Sequence, residues 1–454
     1  MSGTVGPRKL RLLDFFPNAE VAYSLRKLRL NYNGSVVRVR RSNDNESQDI
    51  GFLGNYLDTQ TMIDFVGYNL FLYSEDLSNG YWAKTNLNPI STDVETAPDG
   101  TLTADKIVEN ATTGSHFISR FNTTLISSTT YNISVYLKAA ERTQVYVDSE
   151  IEGTYKNALI NLTAGTITST TFTNTPILSN EGNGWYRFSV NVTTPSIVSP
   201  SVPIRVFLYN GVSINYAGNG TSGAYVWGFQ FSKTSEVKPY RKTTATAGGS
   251  GFVSIWYDQS GNGNDLSQVT VANQPRIVNN GDLETKGNKV SIYSVSSDLL
   301  TRASLAFGNY PFNLSVFSVS YNEVALANAS VFSTNTPLAG AGIQHFCDRR
   351  TQKRNTILYG ATVVNTYDLS VQRDDSNQRL LSLFMNASTN ATSAFDNGNA
   401  GTAGTVTGGI HTETAFNVLG TSSSGIQELI IYKADNSANR TGIESNINSY
   451  YSIY

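Results

Sequence analysis

The stretch YNISVYL, Tyr131 to Leu137, puts an apolar or aromatic side chain at every second position: Tyr131, Ile133, Val135 and Leu137. A strand turns successive side chains to opposite faces, so this spacing predicts a β-strand with one buried face. The same period recurs in Tyr186, Phe188, Val190 and Val192, in Ile204, Val206 and Leu208, and in Tyr225, Trp227, Phe229 and Phe231. Several such runs separated by polar turns predict a β-sandwich. The pattern begins at Tyr68 and ends at KTTATAGGSG, Lys242 to Gly251, a Thr/Ala/Gly stretch of linker character. Residues 68–248 are therefore read as one domain.

Beyond the linker, strand patterns resume at Leu314–Tyr321, Thr356–Tyr359, Leu380–Met385, Phe416–Leu419 and Ile426–Tyr432. A closing helix follows, with Ile443, Ile447 and Tyr450 on one face. On the N-terminal side, Val21, Leu25 and Leu28 fall at i, i+4 and i+7 behind Asn18, which predicts a short amphipathic helix. SVVRVRR, Ser35 to Arg41, reads as a strand. Asp58 is placed to cap a helix through Met62, Phe65 and Val66 that Gly67 ends.

The chain has 454 residues, room for more than one core. Charged residues are 15%, so its surface must be built from hydroxyls and amides, and 25 Tyr and 21 Phe suit strands over long helices. With 33 basic and 35 acidic side chains the net charge is −2, and no global field favours nucleic acid. The first forty-one residues are an exception: Arg8, Lys9, Arg11, Arg26, Lys27, Arg29, Arg38, Arg40 and Arg41 face only Asp14 and Glu20. Asp14 interrupts the early apolar stretch too soon for a secretion signal, and no run reaches the ~18 apolar residues of a membrane span. Cys347 is the single cysteine, which excludes an internal disulfide.

AYSLRKLRLNYNGSVVRVRRSNDNESQDIGF (Ala22–Phe52), LDTQTMIDFVG (Leu57–Gly67) and WYDQSGNGNDLSQ (Trp256–Gln268) resemble consecutive segments of the α-L-arabinofuranosidase B catalytic-domain family. There these blocks lie close together, so the resemblance implies that the intervening residues are an insertion. Residues 269–454, closing on GIQELIIYKADNSANRTGIESNINSYYSIY, look more like a concanavalin A-like or laminin G-like sandwich, and the nucleophile and acid segments of the hydrolase family are not found there. NLFLYSEDLSNGYWAKTNL, TAPDGTLTADKI and AYVWGFQFSKTSEVKPYRKTT make the insertion similar to carbohydrate-binding-module-like domains. The expected fold is all-β: a discontinuous jelly-roll sandwich, 21–67 plus 249–454, carrying an inserted carbohydrate-binding-like sandwich at 68–248.

The combination resembles bacteriophage virion proteins: tail, fibre, spike or head-decoration components. That implies a virion structural protein, made in the host cytoplasm and released by lysis, that binds host-surface polysaccharide. Residues 1–20 would be a docking arm, with Arg8, Lys9 and Arg11 against other virion proteins (capsid, neck or tail), and homo-oligomers, trimers included, are implied by the same analogy. The alternatives are an architectural protein with no ligand and an arabinofuranosidase or depolymerase.

Glycoside hydrolysis needs two carboxyl groups about 5–9.5 Å apart. Asp258 and Asp265, with Glu428 in a strand, are the candidates, but nothing in the sequence brings them together. Asp258 and Asp265 fit better as locks on the backbone of a Gly/Asn-rich loop. Calcium on Asp258, Asn262, Asn264 and Asp265 is the alternative, because a hard cation wants clustered oxygens. His116, His345 and His411 have no metal-ligand spacing, and His345 beside Cys347 lacks an orienting third group. No catalytic residue is assigned. Sugar binding needs an aromatic face and hydroxyl or amide partners, for which Trp82, Trp185 and Tyr186, beside Gly-rich turns, and Asp258, Asn262 and Asn264 are the candidates; Trp227 and Trp256 read as core.

Overall fold

The computed structural model describes residues 11–454 except 43, 68, 123–124, 198–201, 246–248, 296–297, 309–311, 324–327, 335–342, 349–353, 360–361, 369–375, 402, 406–412, 414 and 420–422. The chain is all-β. Among the described residues three α-helices occur, at Leu12–Phe15, Thr59–Val66 and Arg440–Tyr451. Two compact units form, a discontinuous one (Met1–Val66 with Ser250–Tyr454) and an inserted one (Gly67–Gly249).

In the discontinuous unit the antiparallel strands join in a network that closes on itself. Arg379–Met385, Leu314–Asn322, Ser424–Tyr432 and Val21–Ser24 lie side by side in that order. Val37–Arg41 pairs with Gly251–Trp256, so the two sequence halves of the unit share one ladder. One apolar core, including Val21, Tyr23, Val39, Trp256, Val316, Leu383 and Ile431, fills the interior. Each such side chain removed from water contributes about 1.5–3 kcal/mol.

The helix expected between Asn18 and Leu30 is not formed. Val21–Ser24 is a strand in register with Leu429 and its neighbours, and Arg26 bridges to Tyr56. The reason is a partner remote in sequence: Arg26 ion-pairs bidentately with Glu428, through Nε to Oε2 at 2.7 Å and Nη2 to Oε1 at 2.9 Å. Glu428 is fully buried and also accepts from Ser24 Oγ at 2.7 Å. Breaking so buried a pair leaves an uncompensated charge, which costs about 3–5 kcal/mol. The Asp58 helix is as expected, with Thr61 N donating to Asp58 Oδ1 at 3.0 Å and Gly67 at φ +66° after it. In the closing helix Ile443 and Ile447 are buried, and the aromatic turned fully inward is Tyr451, with Tyr450 half-buried beside it.

Residues 1–10, with Arg8 and Lys9, lie outside the described residues. The remainder of the expected docking arm is built into the unit: Leu12 and Leu13 are buried against Ile443, Ile447 and Tyr432. Arg11 accordingly hydrogen-bonds Asn55 through Nη2 and Asp14 through its backbone N–H.

The inserted unit is a sandwich of two six-stranded antiparallel sheets. The first runs Thr166–Thr170, Lys156–Asn161, Gln144–Ser149, Val202–Tyr209, Phe117–Asn122, Ala83–Thr85; the second runs Ile177–Gly182, Trp185–Thr193, Thr130–Ala139, Gly223–Ser232, Leu102–Val108, Ser91–Thr96. Between them pack the inward residues of each alternation, among them Ile133, Val135, Val145, Val147, Val190, Val206 and Leu208. The run Tyr225 to Phe231 departs from a single alternation. Gly228 sits at φ +63°, and the register against Thr130–Ala139 shifts between Ser134 and Tyr136. This bulge reverses the phase, so Val226, Phe229 and Phe231 face the core while Trp227 joins Tyr136 and Trp185 on the outward face. Three edge strands are likewise interrupted. Thr168 is an extra residue opposite Leu159 and Ile160, Glu181 is extra opposite Tyr186 and Trp185, and Ser91–Thr96 slips between Ser91 and Glu95.

Candidate functional site

The outward face of the first sheet follows from period two. With Val145, Val147, Val206, Leu208 and Ile118 turned inward, the residues between them must turn out. Registration sets these in rows across the strands. Leu159, Tyr146, Phe207 and Phe117 are successive cross-strand partners. On one side runs Asn157, Asp148, Arg205 and Ser119, and on the other Asn161, Gln144 and Tyr209. At about 4.8 Å per strand the apolar row is about 14 Å long.

The rings support one another. Phe117 and Phe207 lie 4.5 Å apart and Tyr146 meets Phe207 edge-on at 5.9 Å. Phe207 is nearly enclosed by these neighbours, Tyr146 and Phe117 are half-buried, and Phe121 and Tyr155 on the rim are each 45% exposed. Arg205 locks the charged row: its Nε donates to Asp148 Oδ1 at 2.7 Å, and its guanidinium lies 4.9 Å from the Tyr155 ring centre. Tyr155 Oη donates to the other Asp148 oxygen. Burial raises the Asp148 carboxyl above its usual range, with Arg205 and Tyr155 opposing it. Burial, then the hydrogen bond to Asp148, raises the Tyr155 phenol. With both oxygens engaged, Asp148 is a structural anion and offers no nucleophile or acid. The face thus presents an apolar strip flanked by amides and hydroxyls, its charges neutralised internally.

A concavity of about 410 Å³ lies elsewhere in the inserted unit, within the roughly 300–1,000 Å³ of small-molecule sites. Tyr73, Glu75, Asp76, Asp93, Asp105 and Lys242 are among its lining residues. Tyr73 at φ +48° is held in the left-handed region, a strained setting for an aromatic residue, and Asp93 at φ +55° shares that region, which Asp tolerates better. Asp105 is buried, accepting from Leu77 N at 2.8 Å and Asp93 N at 3.1 Å, and burial pushes its pKa up to about 6. Glu75 accepts from Lys242 at 2.6 Å and from Tyr240 at 3.1 Å. These carboxylates pin the surrounding loops, which is a poor arrangement for an acid and nucleophile pair.

The residues singled out in the sequence do not converge. Trp82 and Trp185 are each 1% exposed, and their indole N–H groups donate to Tyr73 O at 2.9 Å and Thr96 O at 2.8 Å. A pair of backbone acceptors satisfies them inside, so neither offers a face to a sugar. Tyr186 packs on the core, its hydroxyl end against Gly165. Asp258, in the other unit, accepts from Ala22 N, Ser260 N, Ser260 Oγ and Asn264 N, and both of its oxygens are thereby taken. Asn262 and Asn264 donate to the carbonyl of Glu20. This set does not fit a calcium cage: it is a lock joining the two halves of the unit. Among the described residues no group of three or more His, Cys, Asp or Glu is arranged for a metal. His411 lies outside the described residues. Tyr146, Phe207 and Phe117 carry a signal in the sequence after all: each sits out of phase with the apolar residues of its own strand, as in IRVFLY, where Ile204, Val206 and Leu208 point in.

No protein-family model matches the chain, and no curated protein matches it. Among solved structures it is similar to an arabinofuranosidase complexed with arabinofuranosyl-α-1,2-xylobiose, at 10% identity and TM-score 0.38, covering 94% of this chain and 62% of that one. A CBM4 structure is similar at 16% identity and TM-score 0.20, over 37% of this chain and 97% of that one. Domains LG4–5 of the mouse laminin α1 chain are similar at 10% identity and TM-score 0.24, over 70% and 86%. The chain thus spans less than two thirds of the arabinofuranosidase it matches.

Proposed function

We propose that the chain binds polysaccharide without cleaving it, through the outward face of the first sheet of the inserted unit, as a component of a bacteriophage particle surface. The observation that carries this is the row Leu159, Tyr146, Phe207, Phe117 between two polar rows. Apolar faces of sugar rings lie on such a strip while amides and hydroxyls meet the sugar hydroxyls. Internal pairing of Arg205 with Asp148 favours a neutral chain over a charged one. The charge-poor surface and single cysteine suit a protein folded in a reducing cytoplasm and then displayed outside it. Many copies on a particle would multiply weak contacts into firm adhesion.

Affinity electrophoresis of the full chain in gels containing neutral host polysaccharides tests the binding reading. Retardation by at least one polysaccharide, abolished in a Tyr146→Ala/Phe117→Ala double variant, is expected. No retardation with any polysaccharide would overturn it in favour of an architectural protein, and retardation unchanged by the double variant would overturn the assignment of binding to this face. Reducing-sugar release from the same substrates would restore the hydrolase alternative. Immunogold labelling of particles decides the virion assignment separately.

A further inference from the structure

A second aromatic surface lies in the discontinuous unit. The hairpin Phe52–Leu53 to Tyr56–Leu57 turns at Gly54, φ +65°, and leaves Leu53 and Tyr56 exposed, at 68% and 55%. An exposed tyrosine is ordinary; a fixed one is not. The Tyr56 ring stacks on Tyr450, centroids 5.5 Å apart and planes 20° apart. Tyr450 in turn meets the buried Tyr451 edge-on at 4.6 Å. Tyr451 Oη donates to the Gln427 carbonyl, and Tyr450 lies 5.4 Å from the Arg26 guanidinium that Glu428 holds. Ring on ring, the exposed surface is braced by a buried ion pair, so little side-chain freedom remains to be lost when a ligand lies on it.

The charge beside it selects the ligand. Lys289 Nζ lies 4.4 Å from the Tyr450 centroid, and no carboxylate among the described residues pairs with it. Glu428, whose charge acts on Tyr450 and Tyr451, is paired with Arg26 and fully buried. An ammonium over the ring on which Tyr56 stacks complements a partly apolar ligand that carries a negative charge. Tyr450 also holds its phenol as a neutral donor at neutral pH, since burial, above all, pushes it up to about 12. We propose that Tyr56, Tyr450 and Lys289 form a binding site for an acidic oligosaccharide, one ring lying on Tyr56 and a carboxylate of the same or the next residue meeting Lys289. The site is separate from the sheet face of the inserted unit and independent of it.

Isothermal titration of the full chain with oligogalacturonate, and with neutral oligogalactose of the same length, tests this. Oligogalacturonate binding is expected to weaken up to about tenfold in Tyr56→Ala, the loss of one stacked aromatic contact. In Lys289→Gln it is expected to weaken severalfold and to lose most of its salt dependence. The Tyr146→Ala/Phe117→Ala variant should bind oligogalacturonate like the parent, which separates this site from the one on the sheet. A thermal melt of each variant within a few degrees of the parent shows that the fold is retained, and Tyr56→Phe, which keeps the ring, should retain most of the affinity. Equal affinity for the neutral oligomer, unchanged binding in Tyr56→Ala, or no binding of either oligomer would overturn the proposal. A change of oligomeric state in Tyr56→Ala without saccharide binding would likewise overturn it, by assigning the surface to a protein contact.

Discussion

The inserted unit carries aromatic side chains on the outward faces of both its sheets, and the two faces are treated differently. On the second sheet, Tyr136, Trp185 and Trp227 are sealed by the chain's own segment after Ser232. Tyr240 packs against Trp227 with the rings tilted by 53° and their centroids 4.5 Å apart, Arg187 Nη2 donates to Lys238 O at 2.7 Å, and Arg241 N donates to Gln230 Oε1 at 2.7 Å. On the first sheet, Tyr146 and Phe117 stay half-exposed with Phe121 and Tyr155 at their rim. Outward aromatics therefore mark a ligand surface only where the protein has not already supplied the cover. The sealed face works as an additional core.

The sharpest way to break this contrast is to truncate one ring on each face. Trp227→Ala should destabilise the unit by about 3–5 kcal/mol and lower its melting temperature by roughly 10 °C, with no specific effect on glycan retention. Equal damage from Phe117→Ala would show that the open face is also core. The buried acids of the two sheets differ too: Asp148 has Arg205, whereas Asp105 has only N–H donors. Asp105 has a folded pKa of about 6, above its unfolded value of 3.8, so the native state keeps a proton that the unfolded chain releases between those values. Folding is thus favoured as pH falls through 6, and that stability is lost as pH rises through it, by about 2–3 kcal/mol in all. Urea titrations from pH 4 to 7 should show this decline in the parent and its absence in Asp105→Asn.

On the open face, Tyr146→Ala alone should cut polysaccharide affinity about tenfold, read by affinity electrophoresis, while moving the melting temperature by only a few degrees. Smallest is Tyr155→Phe. It removes the hydroxyl donor to Asp148 but keeps the ring, so a stability loss of about 1 kcal/mol with binding within about twofold is expected. A large loss of binding would make the Tyr155 hydroxyl a ligand contact.

Much of this architecture is legible from spacing alone. The alternations at Tyr131–Leu137, Tyr186–Val192 and Ile204–Leu208 are the strands that close the core, and Asp58 caps its helix as its position demands. What spacing cannot carry is a partner hundreds of residues away. The i, i+4, i+7 pattern of Val21, Leu25 and Leu28 satisfies a helix as well as it satisfies a strand followed by a bridge, and Glu428 decides between them. Gly228 reverses the phase of its strand, so Trp227 and Phe229 part company. For the site, the indoles of Trp82 and Trp185 beside turns suggested a surface, but carbonyl acceptors drew them inside. The outward aromatics were visible only as interruptions of the pattern, the part of an alternation that is usually discarded. Of the readings open for Asp258, the backbone lock is the one its hydrogen bonds match, because a short carboxylate beside Gly and Asn reaches the N–H groups of its own loop.

The interrupted edges of the inserted sandwich bear on how such a protein tolerates crowding. A surface with few charges has little repulsion to keep neighbouring copies apart, and an unbroken edge strand would recruit the next copy into a continuous sheet. Thr168 and Glu181 each force an unpaired residue into an edge, the Ser91–Thr96 edge slips in register, and the remaining edge, Ala83–Thr85, is three residues long. Edge-to-edge pairing of copies is thus opposed by backbone geometry, without the charged side chains that commonly guard such edges.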